Sequence, residues 1–114
     1  MVLKAVAKTI LRLARKSDVV GRWGGEEFVV GLPQAAAAGA RIAAERLRRA
    51  IAESPFPLLE EGHPLRVTAS IGVAYAIEGE PLEAMIARAD EAMYLAKSRG
   101  RNRVETEESA TTLP

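Results

Sequence analysis

Apolar positions recur at helical spacing from the start of the chain. Val2, Leu3, Val6, Ala7, Ile10, Leu11, Leu13 and Ala14 alternate with cations and predict an amphipathic helix over 2–16. Two short runs follow, Asp18 to Trp23 and Glu27 to Leu32. They flank Gly24-Gly25 and predict a β-hairpin with a tight glycine turn. Pro33 ends the second strand because proline cannot donate to a ladder. An Ala-rich helix is predicted from Ala35 to Glu53, burying Ile42, Ala43, Leu47, Ala50 and Ile51. The stretch from Ser54 to Pro64 holds three prolines, a glycine and acidic residues, and reads as a surface loop. Val67, Ala69, Ile71, Val73 and Tyr75 share one face of a strand expected over Arg66 to Ala76, with an irregularity at Gly72. A further helix spans Pro81 to Arg99, apolar at Leu82, Met85, Ile86, Ala89, Ala92, Met93 and Ala96, and Gly100 stops it. Asn102 to Thr106 forms a short last strand.

The order is α-β-β-α-β-α-β, a mixed α+β (α/β) fold best met by an open sheet with helices on one face. One domain over 1–106 is expected. The small, polar stretch 107–114 is expected to be a disordered tail.

Composition narrows the function classes. The chain has 114 residues, 48% apolar and 27% charged, as ordinary soluble domains do. A net charge of +1 gives no broad basic field, so no nucleic-acid partner is expected. The absence of cysteine excludes disulfides and Cys-based zinc sites and is compatible with the cytoplasm. Lys and Arg interrupt every apolar stretch, so no membrane segment is expected.

Three groups of residues carry candidate chemistry. Gly24 and Gly25 let backbone approach a ligand, and Glu26 and Glu27 follow at once, which suits a phosphate and a divalent cation. Consecutive strand residues point to opposite faces, so the two carboxylates do not share an ion easily. The plain alternative is a solvated hairpin tip. Lys97 and Arg101 lie four apart at a helix end, where cations complement the helix dipole in any protein. Arg15 and Asp18 span a helix-to-strand corner. An Arg can grip the O6 and N7 edge of guanine and an Asp can accept from its donors, although both could equally cap local structure. Trp23 is read as packing beside the turn, Tyr94 as core, and His63 as exposed.

Taken together, these features resemble the GGDEF domain of diguanylate cyclases in its Gly-Gly-Glu-Glu-Phe form. Arg15-Lys16-Ser17-Asp18 stands where that family has its RxxD motif. Ala44-Glu45-Arg46-Leu47-Arg48 is similar to its third helix, and Thr68 to Ala74 to its Ser-Ile-Gly-Val-Ala strand. Ala89 to Lys97, with Gly100-Arg101-Asn102-Arg103-Val104, resembles its last helix and strand. The resemblance runs from Val2 to about Val104. It implies condensation of two GTP to cyclic di-GMP with release of pyrophosphate, in cytoplasmic bacterial second-messenger signalling, with two domains each presenting one GTP. It implies Glu26 as the metal-binding and catalytic carboxylate for Mg²⁺ or Mn²⁺, with Glu27 secondary and Gly24 and Gly25 forming the substrate turn. Lys97 and Arg101 become phosphate ligands. Arg15 and Asp18, with Arg46 of a neighbouring domain, become an inhibitory site for the product.

The same family carries an N-terminal Asp-x-Asp-x-Phe-Lys-x-x-Asn-Asp segment that this sequence lacks. Its only aspartates are Asp18 and Asp90, and its only asparagine is Asn102. The chain is therefore expected to be an N-terminally truncated portion that holds Mg²⁺-GTP weakly and does not turn over alone. The family's missing strand is central, so its loss would leave unpaired edges. A homodimer through swapped or newly paired strands is expected. The alternatives are a non-catalytic cyclic di-GMP sensor and a ligand-free truncated dimer.

Overall fold

The structure, a computed structural model, describes residues 2–15, 19–22, 27–32, 37–53, 56–57, 64–65 and 67–107. The first helix, α1 (Val2–Leu13), turns Thr9 and Ile10 inward and packs against the next helix. The Thr9 hydroxyl donates to the Ala5 carbonyl at 3.1 Å, so its burial leaves no polar atom unpaired. Strands β1 (Val19–Arg22) and β2 (Phe28–Gly31) pair antiparallel, from Val19 opposite Gly31 to Arg22 opposite Phe28. The described ladder stops there, and the expected Gly24-Gly25 turn lies outside the described residues.

Helix α2 (Ala37–Glu53) buries Ala44 and Ile51, seven residues apart on one face. Ile42 lies two residues before Ala44, about 200° round the helix. It is 68% exposed, which corrects its expected burial. Strands β3 (Phe56–Pro57) and β4 (Pro64–Leu65) form a two-pair antiparallel ladder inside the stretch expected to be loop. The prolines at 57 and 64 supply no N–H, which keeps it short.

The last part is a β-α-β unit. Strand β5 (Ser70–Val73), shorter than the strand expected over 66–76, runs parallel to β6 (Arg103–Thr106), with Ser70 opposite Arg103 and Val73 opposite Thr106. Helix α3 (Leu82–Ser98) crosses between them and covers both. Its Ala92 and Ala96 are fully buried. The register runs through Gly72 without a break, so the expected irregularity is absent. Gly72 serves another purpose. A Cβ there would collide with the Ala89 carbonyl oxygen and the Met93 amide nitrogen. The missing side chain is what lets α3 lie so close to the strand.

Tyr94 is 72% exposed, correcting its expected place in the core. It stands two residues from both Ala92 and Ala96, on the opposite side of the helix. α2 also touches β5 and β6, so the core lies between α2, α3 and this strand pair. The open sheet is present as three separate two-stranded ladders, and no described strand hydrogen-bonds to both the hairpin and β5–β6. Glu107, where the tail was expected to begin, is held in place: its carboxylate accepts from the Tyr75 N–H at 2.9 Å and from Arg88. No described helix is long and apolar enough to cross a membrane.

Candidate phosphate-binding site

The end of α3 is built by a Schellman motif. The Gly100 amide donates to the Lys97 carbonyl at 3.5 Å and the Arg101 amide to the Ala96 carbonyl at 2.9 Å. Gly100 has φ +120°, a region open to glycine. The next two residues stay left-handed, Arg101 at φ 62° and Asn102 at φ 49°. Asparagine tolerates this conformation; arginine adopts it only where its surroundings impose it. β6 then begins at Arg103.

This turn carries the two predicted phosphate ligands. Lys97 lies in the last helical turn and Arg101 just beyond it, both exposed. Neither side chain has an ion-pair or hydrogen-bond partner among the described residues. Nearby cations are all engaged. Arg99 and Arg103 both hold Glu105, at 3.1 and 3.0 Å, and that carboxylate is 5% exposed. Arg103 also donates to the Arg99 carbonyl at 2.9 Å. Two exposed cations without partners among the described residues, beside arginines that are already engaged, are chemically suited to hold an anion.

From α2, Arg48 reaches the same turn. It grips Glu45 through Nε at 3.0 Å and Nη2 at 2.6 Å, and its Nη1 donates to Asn102 Oδ1 at 2.7 Å. The hydrogen bonds between Arg48 and Glu45 hold the Glu45 carboxyl below the usual carboxylate range and raise the Arg48 guanidinium. At the other end of α3, Arg88 binds Glu80, Glu107 and the Tyr75 carbonyl. These hydrogen bonds, that to Glu80 foremost, push Arg88 up, while Glu80 is pulled below the usual carboxylate range.

The remaining predicted residues are less completely placed. Glu27 stands half-buried immediately before β2. Gly24, Gly25, Glu26, Asp18 and Trp23 lie outside the described residues. Arg15 is exposed just past α1. Arg46 is exposed on α2, beside an open groove of about 470 Å³ along that helix, which Arg41, Ile42 and Arg49 also line. Among the described residues no three His, Cys, Asp or Glu side chains could hold a metal together. Sequence reasoning missed Arg48, Asn102 and the left-handed Arg101. Gly100 and Asn102 flanking Arg101 were the available signal for the turn.

The comparisons agree with this architecture. The family described as "Diguanylate cyclase, GGDEF domain" matches residues 1–103. The chain is 47% identical over 105 residues to diguanylate cyclase DgcP of Pseudomonas aeruginosa, covering 91% of this chain and 15% of that protein. It is 46% identical over 104 residues to the response regulator PleD of Caulobacter vibrioides, covering 90% of this chain and 23% of that protein. Among solved structures, the GGDEF domain of DgcB from Caulobacter crescentus, in complex with c-di-GMP, superposes with a TM-score of 0.84 at 30% identity. It covers 95% of this chain and 64% of that one. Diguanylate cyclase SiaD of Pseudomonas aeruginosa, in complex with its activator SiaC, gives 0.85 at 35% identity, covering 92% and 40%.

The fold and the α3 turn thus define a nucleotide-cyclase-like α+β domain. This chain belongs to the GGDEF domain family of diguanylate cyclases. It spans only 15% of DgcP and 28% of diguanylate cyclase A of Treponema denticola.

Proposed function

We propose that residues 1–106 supply part of a diguanylate cyclase site, with 107–114 following as a tail. Lys97 and Arg101 hold the triphosphate of one GTP, and the Gly24-Gly25 turn lies against it. Glu26 holds Mg²⁺ or Mn²⁺, with Glu27 in a secondary contact. The observation that carries this reading is the pair of exposed cations, without partners among the described residues, on the α3 turn of a GGDEF-family chain.

The reaction joins two GTP held by two facing domains. A 3′-hydroxyl oxygen of one attacks the α-phosphorus of the other as its proton passes to a base, in the end to solvent. The new P–O bond forms as the bond to the β-phosphate oxygen breaks, and pyrophosphate leaves with its electron pair. The second closure repeats this. The metal supplies Lewis-acid polarisation of the phosphate when bound. This chain's cations neutralise the charge on the leaving pyrophosphate.

The sequence holds no Asp-x-Asp-x-Phe-Lys-x-x-Asn-Asp segment, so the chain as given offers Glu26 as its main metal carboxylate. We therefore expect weak binding of Mg²⁺-GTP and no turnover by this chain alone. Among the described residues no strand is bonded to both the hairpin and β5–β6, which supports a homodimer with exchanged or added strands. Calorimetric titration with Mg²⁺-GTP tests the site: weak heat is expected, lost in Arg101→Ala and in Glu26→Gln. Equal heat in both variants would sink the assignment.

A second reading is favoured by the exposure of Arg15 and Arg46 and by the c-di-GMP in the DgcB structure. In it, Arg15, Asp18 and Arg46 bind cyclic di-GMP without catalysis. Heat on titrating cyclic di-GMP that survives Arg15→Ala, or no heat at all, removes it.

A further inference from the structure

The phosphate-facing turn is made of residues that do not hold their conformation unaided. Three consecutive residues, Gly100, Arg101 and Asn102, have φ of 120°, 62° and 49°. In an L-residue such a backbone brings Cβ against the following carbonyl oxygen; glycine escapes this and asparagine tolerates it, whereas arginine does neither. Arg101 therefore keeps its position because groups on either side fix it.

One of those groups comes from another element. Arg48 of α2 has a side chain 17% exposed, and its guanidinium is divided between two tasks. Nε and Nη2 are locked on both oxygens of Glu45, at 3.0 and 2.6 Å, which sets the plane of the fork. That plane aims Nη1 at Asn102 Oδ1, 2.7 Å away and 54 residues on in sequence. Nothing else described joins α2 to this turn by a side-chain hydrogen bond.

We propose that Arg48 is a positioning residue for the phosphate ligands. Through Asn102, the Glu45–Arg48 pair holds the 100–102 turn left-handed, so that Arg101 stands ready beside Lys97. Without the brace the turn relaxes toward right-handed or extended backbone, the Arg101 amide leaves the Ala96 carbonyl, and the cation is no longer preorganised. The proposal rests on reading Lys97 and Arg101 as phosphate ligands. A lysine at 48 cannot replace the arginine, because an ammonium has no planar fork to serve Glu45 and Asn102 in fixed directions.

The test uses the full chain and inorganic tripolyphosphate as probe. Binding is measured by calorimetry, and the Arg101 backbone is followed by the NMR coupling between its amide and α protons. Arg101→Ala sets the loss expected when the ligand itself is removed. Arg48→Met and Arg48→Lys should each weaken binding about fivefold or more and change the Arg101 coupling. Arg41→Met, which removes the same charge from α2, should leave both near wild type. Asn102→Ala removes the acceptor while leaving the Glu45–Arg48 pair intact, so it keeps the test decisive should Arg48→Met fold poorly; it too should weaken binding, and adding Arg48→Met to it should cost little more.

The failures separate. If Arg101→Ala binds as wild type, the phosphate reading falls, and the proposal with it. If Arg101→Ala weakens binding while Arg48→Met and Asn102→Ala do not, the phosphate reading stands and the positioning role is overturned. Equal losses in Arg41→Met and Arg48→Met, or an unchanged Arg101 coupling in Arg48→Met, overturn it as well.

Discussion

Substituting Gly72 by alanine inserts one methyl group at the tightest contact of the β-α-β unit. The atoms it meets are the Ala89 carbonyl oxygen, the Met93 amide nitrogen and the Ala92 carbonyl carbon. All three are helix backbone, so no side-chain rotamer can relieve the clash, and α3 must move away from β5. That displacement loosens Ala92 and Ala96, the two fully buried residues of the helix. Overpacking of this kind costs roughly 1–3 kcal/mol, and a backbone obstacle places Gly72→Ala at the upper end. A smaller opposing effect is the reduced freedom of the unfolded chain, about 0.4–1 kcal/mol in favour of alanine. The net expectation is a destabilisation of about 2 kcal/mol, read as a lower midpoint in urea unfolding with an unchanged slope. Gly21→Ala in β1 is the control, because a Cβ there meets nothing within 4 Å. It should shift stability by no more than about 0.5 kcal/mol. If Gly72→Ala were as stable as the wild type, the close approach of α3 to β5 would be wrong.

Ile51→Ala should cost about 3 kcal/mol in the same assay, since Ile51 is 3% exposed and its removal leaves a cavity between α2 and the strand pair; a neutral result would place α2 elsewhere. Arg88→Met should release Glu107 and speed hydrogen exchange at the Tyr75 amide, whose carboxylate partner Arg88 helps to hold; unchanged exchange would show that Arg88 does not tie the end of β6. Glu45 and Glu80 both have folded pKa values depressed by arginine hydrogen bonds. Their contribution is thus complete above the ordinary carboxylate value of 4.5 and is lost as pH falls through the lower folded values. Urea midpoints should drop on acidification below that point, and Arg48→Met with Arg88→Met should flatten the drop; an acid limb unaltered by both would contradict it.

Elements whose evidence is local were legible in the sequence. The end of α3 at Gly100 follows from glycine's freedom at a helix C-terminus, and the hairpin strands follow from apolar runs on either side of a glycine pair. What was missed depends on neighbours distant in sequence. Ile42 and Tyr94 look like core by composition, yet Ala44 and Ile51 set the inward face of α2, and Ala92 and Ala96 that of α3. On α3 small residues face inward because that helix lies close to β5 at Gly72. The β3–β4 ladder hides among prolines that normally signal loop. At the site, Lys97 and Arg101 could be named from their pattern. The left-handed backbone that presents Arg101 could not, because the Arg48–Asn102 bond that supports it joins residues 54 apart.

The central proposal is that Lys97 and Arg101 hold phosphate and Glu26 holds the metal, in a chain that does not turn GTP over by itself. Incubation of the purified chain with GTP and Mg²⁺, followed by chromatographic and mass-spectrometric separation of the nucleotides, tests it most directly. The account predicts GTP recovered intact and no cyclic di-GMP; cyclic di-GMP accumulating with pyrophosphate would contradict it.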